Sequence, residues 1–185
     1  MLSEILGYLI RDHEYFQIVY LEKYDFANYI IFNIYDVVFF LYFYCLFWKL
    51  LRREKSRSFI KYGAVCYLVA AMINPFFENV FIFPQIFAST LGSIILIISI
   101  VLYLKEVRQN IIKKREILLW ICAGLLIFNL FFPMILIAGR FDYPLYEKLS
   151  FRQFHYFLIA AMYICFIIGF LKMNRMKPLE DETRN

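Results

Sequence analysis

Apolar runs of about 20 residues, the length a helix needs to cross the hydrocarbon core of a bilayer, recur along this chain between short stretches where charge and proline collect. Five segments meet that test, over 27–48, 59–79, 85–104, 117–138 and 153–171. The pattern predicts an all-α fold, a polytopic membrane helix bundle with about five transmembrane helices.

Upstream of the first run, "LSEILGYLIRDHEYFQIVYLEKY" carries Arg-Asp-His-Glu at its centre and does not span. Its apolar residues Leu2, Ile5, Leu6 and Leu9, then Phe16, Val19 and Tyr20, recur at helical spacing, which predicts an amphipathic helix lying in the membrane interface. A secretory signal is not indicated, since a basic start, a clean apolar centre and a small-residue cleavage site are all missing. The chain thus divides into an interfacial segment over 1–25, a five-helix domain over 26–174 and a short tail over 175–185.

The polar residues inside the spans have their own pattern. Asn33 and Asp36 interrupt "IIFNIYDVVFFLYFYCLFW", three residues apart and so on one helix face. The second span ends in Asn74 and Pro75, with Glu78 beyond. Ser89, Thr90 and Ser93 open the third span, Asn129 and Pro133 lie late in the fourth, and His155 lies early in the fifth. With spans running alternately out and in, every helix is, with minor exceptions such as Ser99, polar in its outer half and apolar in its inner half. That asymmetry predicts a polar crevice open to the outside and sealed below, built from Asn33, Asp36, Asn74, Ser89, Ser93, Asn129 and His155. Asp36 leads this set, because a carboxylate at membrane depth costs about 2.5–3.5 kcal/mol on insertion scales and faces a bundle interior or water. The competing reading is that these groups only hydrogen-bond helices together. Pro75 and Pro133 are expected to kink or end their helices. The pairs Ala88 with Gly92 and Ser89 with Ser93 give small-residue spacing for close helix contact.

Charge orients the scheme. The first connection holds Lys49, Arg52, Arg53, Lys55, Arg57 and Lys61, and the third holds Lys105, Arg108, Lys113, Lys114 and Arg115. The second, "NPFFENVFIFPQ", has no Lys or Arg, and the fourth offsets Arg140, Lys148 and Arg152 with Asp142 and Glu147. Counted on loops this short, the positive-inside rule puts the N-terminus outside and the C-terminus in the cytoplasm. Trp48 and Trp120 then fall at inner helix ends, where amphipathic rings sit well.

Composition narrows the function. The chain is 63% hydrophobic and 21% aromatic, against about 45–50% apolar residues in a soluble domain. A chain of this size leaves too much surface outside its core for that excess to be hidden from water. The lipid bilayer is therefore the first partner. The net charge of +5 is gathered between apolar runs, so nucleic acid is not an expected partner. Cys45, Cys66, Cys122 and Cys165 each lie in a different run and read as small buried hydrophobes. Two histidines, no Gly-rich phosphate loop, no His-Glu-x-x-His and no Gly-x-Ser-x-Gly leave enzyme, metal and cofactor chemistry without support.

The succession "NIYDVVFFLYFYCLFWKLLRREK", "FASTLGSIILIISIVLYLKEV", "REILLWICAGLLIFNLFF" and "FHYFLIAAMYICFIIGFLK" resembles a group of small polytopic bacterial inner-membrane proteins of uncharacterised function. It is also similar to the membrane region of some sensor histidine kinases. The resemblance covers about residues 27–174 and rests on helix order and a few positions: an acidic or polar residue where Asp36 stands, small and hydroxyl residues at Ser89 to Ser93, and an aromatic at Trp120. Members usually carry two further N-terminal helices, where this chain has one amphipathic segment. The resemblance implies a bacterial inner membrane and a module related to sensing, with a membrane signalling protein or a second copy as partner.

The leading expectation is therefore a sensory or regulatory membrane module. A small transporter or channel subunit using Asp36 for an ion or proton is the alternative from a different class, and a structural scaffold is the third.

Overall fold

The computed structural model describes residues 28–77, 84–112 and 115–175. The amphipathic helix expected over 1–25, Glu78 and most of the tail lie outside these residues. The described chain is helical, with α1 over Asn28–Leu50, α2 over Glu54–Ile73, α3 over Ile86–Arg108, α4 over Glu116–Phe141, a short α5 over Tyr143–Lys148 and α6 over Phe151–Arg175. A 3-10 turn, Asn74–Phe76, follows α2. Five of these helices, α1, α2, α3, α4 and α6, are long and apolar enough to cross a membrane. The chain is a multi-pass membrane protein with the all-helical bundle that its apolar pattern predicts.

Short connections make consecutive spans run in opposite directions. α1, α2 and α3 pack against one another, α4 packs on α3, and α6 packs on α4 over the most extensive contact in the molecule. The third helix is the centre, since 56% of its span is buried inside the protein against 17% for α6. Lipid offers no hydrophobic drive to bring helices together, so close van der Waals fit must supply it. Glycine supplies the room. A Cβ on Gly92 of α3 would lie 2.9 Å from ring carbons of both Phe40 and Tyr67, and one on Gly124 of α4 would lie 3.0 Å from the Met162 carbonyl oxygen of α6. The Ala88, Ser89, Gly92, Ser93 stripe is buried, consistent with the spacing expected for close approach.

Local chemistry ends the helices. Pro75 enters the 3-10 turn that closes α2. Pro133 does not end α4, which runs on to Phe141; a membrane helix tolerates an interior proline where neighbouring groups take up the freed carbonyl. The Asp142 carboxylate instead starts the next helix, its Oδ1 accepting the Leu145 N–H at 3.0 Å. At the far end of α3, Asn110 has φ 55°, and the Asn110 and Ile111 N–H groups donate to the carbonyls of Val107 and Glu106. This is a Schellman stop, with asparagine in the left-handed position that glycine usually takes.

Two expectations are corrected. The cysteines are not all buried: Cys122 is, Cys165 is half-buried, and Cys45 and Cys66 lie on the lipid-facing surface, where a thiol is apolar enough to remain. The inner half of the bundle is not purely apolar either. Glu106, on a last turn of α3 that extends beyond the expected helix end, is 1% exposed, and its Oε2 accepts the Arg52 N–H at 2.9 Å. A backbone donor freed at the α1–α2 turn is thus paired with a side chain from the neighbouring helix. At the same end Arg57 lies 4.3 Å over the Trp48 ring and Lys172 5.0 Å over the Trp120 ring, so both tryptophans hold cations as well as an interfacial position.

Candidate functional site

Packing leaves a gap between α1 and α6. α1 is held by α2 and α3, whereas α6 is held by α4 and α5, and no contact of comparable extent joins α1 to α6. Between them lies a cleft of about 390 Å³, within the range of about 300–1,000 Å³ typical of small-molecule sites. It lies at the end of the bundle where α1 and α6 begin and α4 finishes.

Helical spacing on α1 builds one wall. Phe32, Asp36, Phe39 and Phe40 recur at four- and three-residue steps and share a face, so the carboxylate sits within a stripe of rings. The Phe39 and Phe40 rings meet edge-on at 5.4 Å. Phe128 and Phe132 of α4 stack at 4.9 Å on the other wall, and the His155 imidazole of α6 meets Phe132 edge-on at 5.5 Å. Tyr156 and Arg152, both exposed, and Tyr146 of α5 complete the mouth. Next to that mouth Tyr143 donates a hydrogen bond to Glu147, and this bond, with the carboxylate's charge, holds the phenol above its ordinary pKa.

Among the described residues of the lining, Asp36 is the only acidic one and Arg152 the only arginine or lysine. Asp36 is partly open to the cleft. Behind it, buried Ser89 of α3 donates to its Oδ2 at 2.7 Å, which fixes the carboxylate's orientation. One turn earlier, Asn33 Oδ1 accepts the Gln85 N–H at 3.0 Å, tying α1 to the start of α3.

The seven residues expected to form a crevice therefore divide. Asn33, Asp36 and His155 line one cleft, and Ser89 backs it. Asn74, Ser93 and Asn129 do not line it. Asn74 is 4% exposed at the end of α2, a helix that packs only on α1, α3 and its own 3-10 turn to any extent. Ser93 and Asn129 are buried within the bundle; the Asn129 amide donates to the Leu125 carbonyl one turn back on its own helix at 2.9 Å, a bond that joins no two helices. Polar residues in the same half of five helices need not meet, because depth and helix face are independent.

Sequence reasoning passed over Arg152, Tyr156 and the ring stripe around Asp36. The stripe at positions 32, 39 and 40 is readable from spacing once Asp36 is taken as a centre, but 22 Phe and 15 Tyr make rings near any residue unremarkable. Buried polar atoms without a hydrogen-bond partner also follow α3 and α4: Thr90 Oγ1, Ser93 Oγ, Tyr103 OH, Glu106 Oε1 and Asn129 Oδ1. Among the described residues no three His, Cys, Asp or Glu side chains converge. Comparison with protein-family models, with curated proteins and with solved structures finds no match for this chain.

Proposed function

We propose that this protein is a sensory or regulatory module of a bacterial inner membrane, without enzymatic activity of its own, that binds a small ligand between α1 and α6 and passes the bound state to a membrane partner. The observation that carries the reading is the cleft itself, an aromatic-walled space with one half-open carboxylate at its side. A carboxylate within a spanning helix costs about 2.5–3.5 kcal/mol at the bilayer centre, and one that lines a cleft supports a role beyond its bond to Ser89. The cleft divides α1 from the α4–α6 pair, so a ligand that touches both walls favours a closed arrangement over an open one, and only such differential contact shifts an equilibrium. The N-terminal end faces outward on the charge rule, which opens the cleft to the outside. The resemblance to sensor membrane regions supports the same direction.

The test compares transcript profiles of a deletion strain and an Asp36→Asn strain. The sensory reading expects Asp36→Asn to reproduce the deletion's changes at wild-type protein level; a wild-type profile in that strain would sink it.

A second reading, a small transporter or channel subunit, is favoured by one observation: unpartnered buried atoms collect at two levels, Thr90 Oγ1 and Ser93 Oγ near Asp36 and Tyr103 OH and Glu106 Oε1 at the other end of α3. Such groups are commonly completed by internal water, and polar groups inside a spanning bundle commonly mark ion or proton pathways. Proton flux in proteoliposomes that disappears in both Asp36→Asn and Glu106→Gln supports it, and a tight bilayer under every gradient rejects it.

A further inference from the structure

The chemistry of the cleft walls restricts what the cleft takes. Among the described residues Asp36 has one hydrogen bond, from Ser89, and no ion pair. A neutral apolar ligand closing over it would bury a carboxylate without a counter-charge, which is costly. An anion would face both the carboxylate and the negative faces of the rings. A small inorganic cation needs about six oxygen ligands, and the described residues of the lining are dominated by rings, with Asp36 the only carboxylate among them. One class satisfies every wall: an organic ammonium, whose spread positive charge is attracted to ring faces and to a carboxylate together.

We infer that the cleft between α1 and α6 binds an organic ammonium group, with Asp36 as counter-charge, Phe32, Phe39 and Phe128 as ring walls, and Arg152 at the mouth for an anionic group carried by the same molecule. Asp36 is bracketed on its own helix by rings at 32, 39 and 40, and faced across the gap by the stacked Phe128 and Phe132 pair. Arg152 is exposed at the start of α6, one turn before His155, so its charge lies toward the open end while that of Asp36 lies inside. Opposite charges at the two ends of one cleft match a zwitterion in which an ammonium is joined to a phosphate. That pairing occurs in free phosphocholine-like solutes and in phospholipid headgroups, and the shared chemistry is what the cleft recognises. The inference rests on the reading of the cleft as a ligand site and adds the class of ligand.

The full chain is placed in nanodiscs of phosphatidylglycerol, which has no amine, and titrated calorimetrically with choline, phosphocholine and 3,3-dimethyl-1-butanol, the neutral isostere with carbon in place of the quaternary nitrogen. Choline and phosphocholine are expected to bind, the neutral isostere about tenfold or more weakly, a difference equivalent to about 1.4 kcal/mol. Asp36→Asn should weaken choline and phosphocholine to a similar degree, and Arg152→Gln should weaken phosphocholine while leaving choline unchanged; unfolding temperatures near wild type exclude a folding defect as the cause. Phosphatidylcholine doped into the nanodiscs should compete with phosphocholine when the natural source is a lipid and should leave its binding unchanged when the source is a solute. Equal binding of choline and its isostere overturns the ammonium inference and leaves the cleft a ligand site. Heat from no probe also overturns it, and the cleft reading is then decided by the transcript comparison.

Discussion

The Ser89 hydroxyl of α3 donates to the Asp36 carboxylate of α1 at 2.7 Å, and this bond joins the central helix of the bundle to the wall of its cleft. Ser89 is buried whereas Asp36 is partly open. The two residues therefore answer differently to substitution, although both carry the same bond.

Ser89→Ala removes the donor and leaves a charged acceptor against a buried apolar patch, a loss of about 1–2 kcal/mol of stability. Asp36→Asn retains an oxygen that Ser89 reaches and removes the charge whose burial is costly, so its stability should stay within about 0.5 kcal/mol of wild type. Unfolding in mixed detergent micelles of the two single variants and the double variant checks this. Ser89→Ala as stable as wild type would mean that the bond does not hold α1 to α3.

Gly92 and Gly139 offer a second contrast. An alanine at Gly92 places its Cβ 2.9 Å from the rings of Phe40 and Tyr67, whereas one at Gly139 meets Tyr146 at 3.4 Å, an ordinary contact. Gly92 also presents its carbonyl to the Tyr44 hydroxyl at 2.8 Å, so the helices cannot simply move apart without losing that bond. Gly92→Ala should cost about 1–3 kcal/mol by overpacking. Gly139→Ala should be neutral or stabilise by up to about 1 kcal/mol through helix propensity. Thermal unfolding of the two variants in parallel decides it; equal effects would show that the α1–α3 contact yields more easily than its distances imply.

Glu106 leads to a third prediction. One oxygen caps the Arg52 N–H at 2.9 Å and the other is buried without a partner. Glu106→Gln keeps an acceptor for Arg52 and removes the charge, so it should be tolerated within about 1 kcal/mol. Glu106→Ala leaves the Arg52 N–H unpaired beside a cavity and should cost about 2–4 kcal/mol. Stability measured at one pH for the three proteins separates the two; an alanine variant as stable as the glutamine one would mean that water completes the turn.

The same residue shows where a sequence stops being readable. The five spans were legible because a helix in lipid must be apolar on nearly every outward face, a condition that leaves a long and unambiguous signal. Their ends were less so. α3 was expected to finish at 104, where Lys105, Glu106 and Arg108 read as a solvated loop, yet it continues to Arg108 and buries the one acid among those bases. Charge type gives no hint of which side chain turns inward. Asn33, Asp36, Ser89 and His155 were found by depth and composition, and they do meet at or behind one cleft. Asn74, Ser93 and Asn129 satisfied the same criterion and do not, because the azimuth of each helix is set by packing between spans, at Gly92 and Gly124 among others, and not by its own pattern.

Labelling of single cysteines distinguishes the cleft from the wider crevice that depth alone predicts. In a background free of Cys45, Cys66, Cys122 and Cys165, cysteines at Asp36, Arg152 and His155 lie in the lining, and those at Ser93 and Asn129 lie within the bundle. Groups buried to that degree react only through opening of the structure. A membrane-impermeant thiol reagent applied from the N-terminal side should therefore modify the first three about tenfold or more faster than the last two. Comparable rates at all five positions would mean that water reaches a crevice bounded by the whole bundle, as the polar halves of the helices first imply. Protection at all five would mean that the gap between α1 and α6 opens to lipid instead of water, and a ligand would then have to enter from within the membrane.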